Sequence, residues 1–312
     1  MSATRRDVWV HMLLYPRHTL PTAIAPVLVA SALAHHDGVF AWRAAVAAVI
    51  AGFFVQLGGV ITDNFNNLRR HQDDREHPKF AEAMKSGVVT FGELKAGITA
   101  CYALAVLAGA YLVYVGGVPA FVTGLASIAA SLLYSSGPKP LGDNWGLGDP
   151  LFFVFFGLVS VMATYYCEAA SVHAAPLTVT IPPGTVTLGS FLVSLPVAAL
   201  CTSILVIDNI RDLEFDAEKN ERTLAVIIGP RASRVEYVLL GVLAYGVPVI
   251  LRAFMGFSSW ILLPLLSIPY AIIVGRRVLR ARTHEDLIPM TPQQGQVLIA
   301  HSVLATIGIA LG

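Results

Sequence analysis

The sequence predicts an all-α integral membrane protein, a bundle of nine transmembrane helices with its N-terminus in the cytoplasm. Three observations carry that prediction. The first is composition: 55% of the 312 residues are hydrophobic, only 13% are charged, and the mean hydropathy is +0.67. An ordinary soluble domain carries about 25% charge. The second is length, because nine stretches approach the roughly 20 mostly apolar residues that a membrane-crossing helix needs. The third is the placement of cations. With the N-terminus inside, 19 of the 21 lysines and arginines fall on the cytoplasmic side, and only Arg43 and Arg252 fall outside, as the positive-inside rule requires. The spans should be helices, since an open sheet could not satisfy its backbone in lipid.

Residues 20–37 form the first span. Arg5 and Arg6 ahead of it mimic a secretory signal, but the many spans that follow make it a retained helix. The second span, 42–61, runs without a break into the polar stretch ITDNFNNLRRHQDD. Spans at 95–115, 118–136 and 150–169 follow. The next connector, SVHAAPLTVTIPPGTV, has no charged residue and several prolines, and reads as an ordered link without a function of its own. The sixth span, 187–207, runs into a second polar stretch, and spans at 235–254, 257–275 and 294–311 complete a single domain over 1–312. Cys101, Cys167 and Cys201 all lie in apolar stretches without metal-ligand spacing, which makes them buried small hydrophobes. A net charge of +1 without a dense basic patch argues against nucleic acid as a partner. Arg276, Arg277, Arg280 and Arg282 read as orientation and lipid headgroup contacts.

The two longest cytoplasmic loops hold the chemistry. In LVIDNIRDLEFDAEKNERTLAVIIG (Leu205 to Gly229), Asp208, Asp212 and Asp216 recur every fourth residue, and Lys219 follows on the same side. On a helix they form one stripe. Like charges so spaced, at a membrane boundary, need compensation. Carboxylate oxygens suit Mg2+, which is held by one or two carboxylates plus substrate phosphates. No His/Cys cluster points to zinc or copper. The competing reading is a solvated acidic helix segment balanced by Arg211, Lys219 and Arg222. In the first stretch, Asp63, Asn67, Arg70 and Asp74 fall at i, i+4, i+7 and i+11, again on one helical face. Asn66 lies beside them and Asp73 lies two turns beyond Asn66. The competing reading there is a polar helix end followed by a loop.

In these two motifs and the segments around them, the chain resembles the UbiA superfamily of intramembrane aromatic prenyltransferases along nearly its whole length. YPRHTLPTAIAPVLVASALA (residues 15–34) is similar to the family's opening arginine–threonine–proline helix. TDNFNNLRRHQDD lies where the family has its NDxxDxxxD motif, and DNIRDLEFD matches the second, DxxxD, motif. YSSGPKPLGDNWGLGDPLFF between them, together with the IRDxExD and RTLAVxxG patterns, looks most like the prenyltransferases that act on 1,4-dihydroxy-2-naphthoate in menaquinone synthesis.

The resemblance implies a central cavity open to the cytoplasm and to lipid, in a bacterial or archaeal cell membrane. It also implies Mg2+-dependent transfer of an isoprenoid from a polyprenyl diphosphate to an aromatic acceptor. Asp63, Asp208 and Asp212 match the catalytic, metal-binding aspartates. Asn66, Asp73, Asp74 and Asp216 complete the expected metal set, with Asp73 and Asp74 taking over where Thr62, Asn66 and Arg70 depart from the family's pattern. Arg17, Asn67, Arg70, Lys139, Lys219 and Arg222 are candidate contacts to the diphosphate or acceptor. Tyr134, Phe152, Phe153, Phe156, Tyr165 and Tyr166 are available as aromatic walls around an allylic cation. The same chemistry on another acceptor (4-hydroxybenzoate, homogentisate, a tetrapyrrole ring or a glycerol phosphate), a non-catalytic isoprenoid-binding homologue and a transporter are the alternatives; no inverted repeat or mid-membrane broken-helix pair supports the last.

Overall fold

The computed structural model describes Trp9, residues 19–70 and residues 78–312; Arg17, Asp73 and Asp74 lie outside the described residues. The helices are α1 (Thr19–His36), α2 (Trp42–Arg70), the short α3 (Pro78–Lys85), α4 (Phe91–Ser135), α5 (Gly148–His173), α6 (Leu188–Glu218), α7 (Leu224–Phe254), α8 (Ser259–Arg280), the short α9 (His284–Leu287) and α10 (Met290–Ala310). No strand occurs among the described residues. Six of these helices, α2 and α4 to α8, are long and apolar enough to cross a membrane. Their outward faces carry large exposed side chains such as Leu107, Leu239 and Phe254, the last 81% exposed. Water would penalise that surface and lipid does not, so the chain is an integral membrane protein.

Both motif-bearing helices run past the spans predicted for them. The second span, expected over 42–61, continues as helix to Arg70, and the sixth, expected over 187–207, continues to Glu218. No glycine or proline interrupts residues 61–70 or 208–218, so each helix carries its polar motif beyond the apolar segment in regular register. At the other extreme, a 45-residue helix such as α4 would be roughly 67 Å long, about twice the hydrocarbon thickness. It breaks at Gly117, whose φ of 62° suits glycine. A side chain there would overlap the carbonyl of Thr178, and the Val118 N–H donates to that same oxygen at 2.8 Å. The proline-rich connector is thus seated on the break in α4, the ordered link expected from its sequence.

α6 is the central element. Its apolar stretch is 78% buried, against 17 to 33% for the other five long helices. It packs on α7, on the start of α5 and on α10, while α4 lies along α2 and α10 lies along α1. The contact with α5 is backbone-close: a Cβ on Gly157 would overlap Ala198 of α6. That approach coincides with a π-helical segment, Phe153–Val159. At the end of α5 away from the motifs, the buried Glu168 carboxylate accepts from the Ser31 hydroxyl at 2.6 Å and from the Ala41 N–H at 3.2 Å. Tyr165 donates to Asp37 at 2.7 Å. These bonds satisfy groups that would otherwise be costly to bury, and they tie α5 to α1 and to the start of α2. The three cysteines are buried and free.

Gly157→Ala forces α5 and α6 apart and is expected to destabilise the protein by about 3 kcal/mol, in the range of core overpacking. Gly241→Ala, whose Cβ would meet open space, is expected to be neutral or stabilising by up to about 1 kcal/mol. Thermal unfolding of the two variants in one detergent checks the contrast.

Candidate active site

A cavity of about 880 Å³ opens between α2, α4, α5 and α6. Its walls change character along its length. One part is apolar, with Ala48, Val55, Ala105, Phe121 and Leu125; the other holds Asp63, Asn67, Asp143, Asp208, Asp212, Asp216, Lys219 and Glu221. The ends of α2 and α6 therefore face one space, and the two polar stretches that lie 145 residues apart (63 to 208) meet there.

Asp208 and Asp212 sit one turn apart, with Arg211 between them. The Arg211 guanidinium donates to Asp208 Oδ1 through Nη1, and to Asp212 through Nε (2.8 Å) and Nη2. Thr291 of α10 donates to Asp208 at 2.7 Å, and His284 Nδ1 stands 3.5 Å from Asp212 Oδ1. The compensation that this stripe demands is thus supplied, in this structure, by an arginine of the same helix. His284 is held by a capped turn: Thr283 caps α9, and Asp286 accepts the N–H groups of Arg282 (2.9 Å) and Thr283 (3.1 Å). Those donors keep the Asp286 carboxyl below its ordinary pKa. Asp216 accepts from Thr223 at 3.2 Å, and Lys219 caps the end of α6.

On α2, Asn67 donates to Asp63 at 3.5 Å, and both line the cavity. Asn66 and Arg70 turn away from it. Asn66 donates to the Ser136 hydroxyl at 3.0 Å, and Arg70 is paired with Asp143 at 3.2 Å and bonded to the Ser135 carbonyl. Thr62 returns its hydroxyl to the Gly58 carbonyl at 2.7 Å and is buried. Of the other expected contacts, Tyr134, Asp216 and Lys219 line the cavity; Lys139 and the Arg222 side chain are exposed outside it. Tyr134 stands within electrostatic reach of Asp63, Asp143, Asp149 and Asp208, between the two motifs. Among the aromatics, Phe152 and Phe156 line the cavity with their ring centroids 4.3 Å apart, and Phe155 joins them. Phe153 packs into the core, while Tyr165 and Tyr166 are buried against Asp37 and the Gly116 carbonyl. Phe155 is not among the aromatics named from the sequence, although at i+3 from Phe152 it shares a helical face with Phe152 and Phe156.

Sequence reasoning also missed Asp143, Thr291, His284 and the buried Asn209–Asp149 pair (3.0 Å). Asp143 lay in the stretch YSSGPKPLGDNWGLGDPLFF, already quoted for its family likeness, so a search for acids there could have found it. Thr291 and His284 follow the second motif by some 70 to 80 residues and show no local pattern.

The donor set fits Mg2+ in one particular way. Six carboxylates line the polar part of the cavity (Asp63, Asp143, Asp208, Asp212, Asp216 and Glu221), against the fixed cations Arg211 and Lys219 among the described residues. No three His, Cys, Asp or Glu side chains form a metal cage among the described residues. A diphosphate entering this field needs divalent counter-ions, and Mg2+ takes one or two carboxylates and fills its shell with phosphate oxygens and water.

Comparison with known proteins agrees with this arrangement. Residues 23–290 match the UbiA prenyltransferase family, and the chain belongs to it. A 1,4-dihydroxy-2-naphthoate octaprenyltransferase of Mycobacterium tuberculosis (strain ATCC 25618 / H37Rv) is 30% identical over 94% of each chain. The apo structure of a UbiA homolog from Aeropyrum pernix K1 superposes with a TM-score of 0.70 at 16% identity, covering 91% of this chain and 96% of that one. A UbiA homolog from Archaeoglobus fulgidus, solved bound to GPP and Mg2+, gives 0.56 at 14% identity over 95% and 99%. The chain is accordingly a membrane prenyltransferase.

Arg211→Gln removes the resident cation between Asp208 and Asp212. It is expected to cost about 2–3 kcal/mol in metal-free detergent, as breaking a partly buried charged network does, and Mg2+ is expected to restore part of the loss. Melting curves with and without Mg2+ check both statements.

Proposed function

We propose that this member of the UbiA prenyltransferase family transfers a polyprenyl group from an allylic polyprenyl diphosphate to an aromatic acceptor, 1,4-dihydroxy-2-naphthoate, in menaquinone biosynthesis. The observation that carries the reading is the two-part cavity, with facing acidic helix ends at one part and an apolar, aromatic-walled space at the other. A diphosphate suits the first and an isoprenoid chain the second. The named acceptor of the mycobacterial relative supports the choice of ring.

Asp208 and Asp212, with Asp63 and Asn67 opposite, would hold Mg2+, and Lys219 is placed to meet the diphosphate directly. Bound Mg2+ would offset the charge of the diphosphate and improve it as a leaving group. The remaining work belongs to the chain's own side chains. The allylic C–O bond breaks with its electron pair going to the diphosphate, and the apolar walls exclude the water that would quench the resulting cation. Phe152, Phe155 and Phe156 offer their ring faces to that cation. The electron-rich acceptor carbon then forms the new C–C bond. The ring regains aromaticity by shedding what that carbon carried, a proton, or CO2 where it bears the carboxylate.

We also propose nine membrane crossings, counting α1, the two parts of α4 on either side of Gly117, and α10 beside the other five long helices. The bias of lysine and arginine supports a cytoplasmic N-terminus and a cytoplasmic site.

Purified protein incubated with Mg2+, a labelled polyprenyl diphosphate and a panel of acceptors is expected to give prenylated naphthoate, and chelation of the metal to abolish it. Asp208→Asn and Asp212→Asn are each expected to lower kcat by about 100-fold or more, the scale seen when one charge-stabilising group is removed. Absence of both product and diphosphate release with every acceptor would overturn the assignment.

A further inference from the structure

The helices that bear the two motifs, α2 and α6, are not among the helix pairs that pack extensively on one another. What joins their polar ends is the loop of residues 136–147. From the α2 side, Asn66 donates to the Ser136 hydroxyl at 3.0 Å, and Arg70 reaches both the Asp143 carboxylate (3.2 Å) and the Ser135 carbonyl. From the α6 side, the Arg222 N–H donates to the Asp143 carbonyl at 2.6 Å, and the Gly146 N–H donates back to the Arg222 carbonyl at 2.9 Å. The loop is also folded onto the end of α4. Leu141 and Gly142 donate to the carbonyls of Leu133 (3.1 Å) and Tyr134 (2.8 Å). Gly142 lies so close to the Tyr134 ring that a Cβ would stand 2.6 Å from it. Asp143 is therefore grasped from both sides, its carboxylate by α2 and its carbonyl by the segment after α6, while Tyr134 and Gly142 line the cavity beside it.

We infer that Arg70 is a positioning residue and Asp143 its anchor: their ion pair pins the 136–147 loop across the polar end of the cavity and so sets the spacing of the two aspartate motifs. Arg70 does not line the cavity, and its guanidinium is committed through one nitrogen to the loop at Asp143 and through another to the end of α4 at Ser135. The planar fork suits this role, since it holds a carboxylate and a carbonyl in a fixed geometry that the rotatable donors of an ammonium do not impose. This also accounts for a cation at a position where the family's first motif has an acid. Arg70 contributes to diphosphate binding through the loop, not by touching the ligand. With the pin removed, the loop must be ordered when substrate binds, so apparent affinity falls by the fraction of molecules already in the competent arrangement. Turnover of the bound complex is little altered.

The kinetic arm rests on the prenyl transfer proposed above; a second arm does not. Arg70→Gln, Asp143→Asn and the double variant of the full chain are compared for KM and kcat with a labelled polyprenyl diphosphate at saturating Mg2+. Backbone hydrogen exchange over 141–146 is followed without substrate. Each single variant is expected to raise KM by about 10-fold, equivalent to about 1.4 kcal/mol, and Arg70→Gln, which lies outside the cavity lining, to change kcat by less than about threefold. The double variant is expected to be no worse than either single one, as for two ends of one interaction. Exchange over 141–146 is expected to quicken equally in all three. A rise in KM for Arg70→Gln with none for Asp143→Asn would make Arg70 a direct diphosphate ligand and overturn the inference, as would unchanged exchange. Should the wild-type chain transfer no prenyl group, the function assignment fails while the exchange comparison still decides the role of the pair.

Discussion

Among the long helices of the bundle, the most buried one carries Asp208 and Asp212, one turn apart at the edge of its apolar segment, and the Arg211 guanidinium binds both of them there. Two carboxylates at that spacing repel one another, and burial raises the cost because little water remains to screen them. The Arg211 guanidinium touches both, while Thr291 and His284 bring further donors from α10 and α9. A preformed arginine bridge keeps the acidic pair compatible with a folded, metal-free state. Among the described residues, carboxylates still outnumber cations around it, which leaves this part of the cavity negative.

The rest of the architecture serves to keep that pair in a defined place. α6 is surrounded on most sides by other helices, so its polar end has little freedom to tilt. The close approach of α5 at Gly157 and Ala198 fixes the aromatic wall relative to the aspartates, with Phe152, Phe155 and Phe156 on the face of α5 that lines the cavity. Close packing of this kind transmits position because interiors have little slack. On the opposite wall no comparable helix-to-helix contact links α2 to α6, and the link is made by hydrogen bonds through a loop. The two motifs are held by different physics: one by apolar packing at the centre of the bundle, the other by a polar brace at its rim.

Arg70 illustrates how a residue's identity can be legible while its role is not. Helical spacing places it on the face shared by Asp63, Asn67 and Asp74, and an arginine on an acidic face invites assignment as a phosphate contact. Spacing on one helix says nothing about a loop 73 residues further along, and the loop claims the side chain. Asn66 follows the same pattern, drawn to Ser136 and away from the cavity. For Lys139 and Arg222, charge alone suggested the site, but a basic residue on an exposed loop has many places to point, and theirs lie outside the cavity. Arg211, by contrast, was visible from the sequence as a possible partner of the aspartates, since i+3 and adjacent positions on a helix fix where its side chain can reach.

The sequence by itself determined what depends on composition and on local periodicity. Residence in a membrane, helical spans, the register of Asp208, Asp212 and Asp216, and the likeness to a prenyltransferase family all follow from the order of side chains along a few turns. Only the tertiary structure decided which polar side chains face the shared cavity, which aromatics form its wall, and which cation answers which carboxylate. Those outcomes depend on the close approach of α5 to α6 at Gly157, on the break in α4 at Gly117 and on the loop that joins the two motif ends. Each arises from contacts between segments far apart in the chain, where no local pattern specifies the partner.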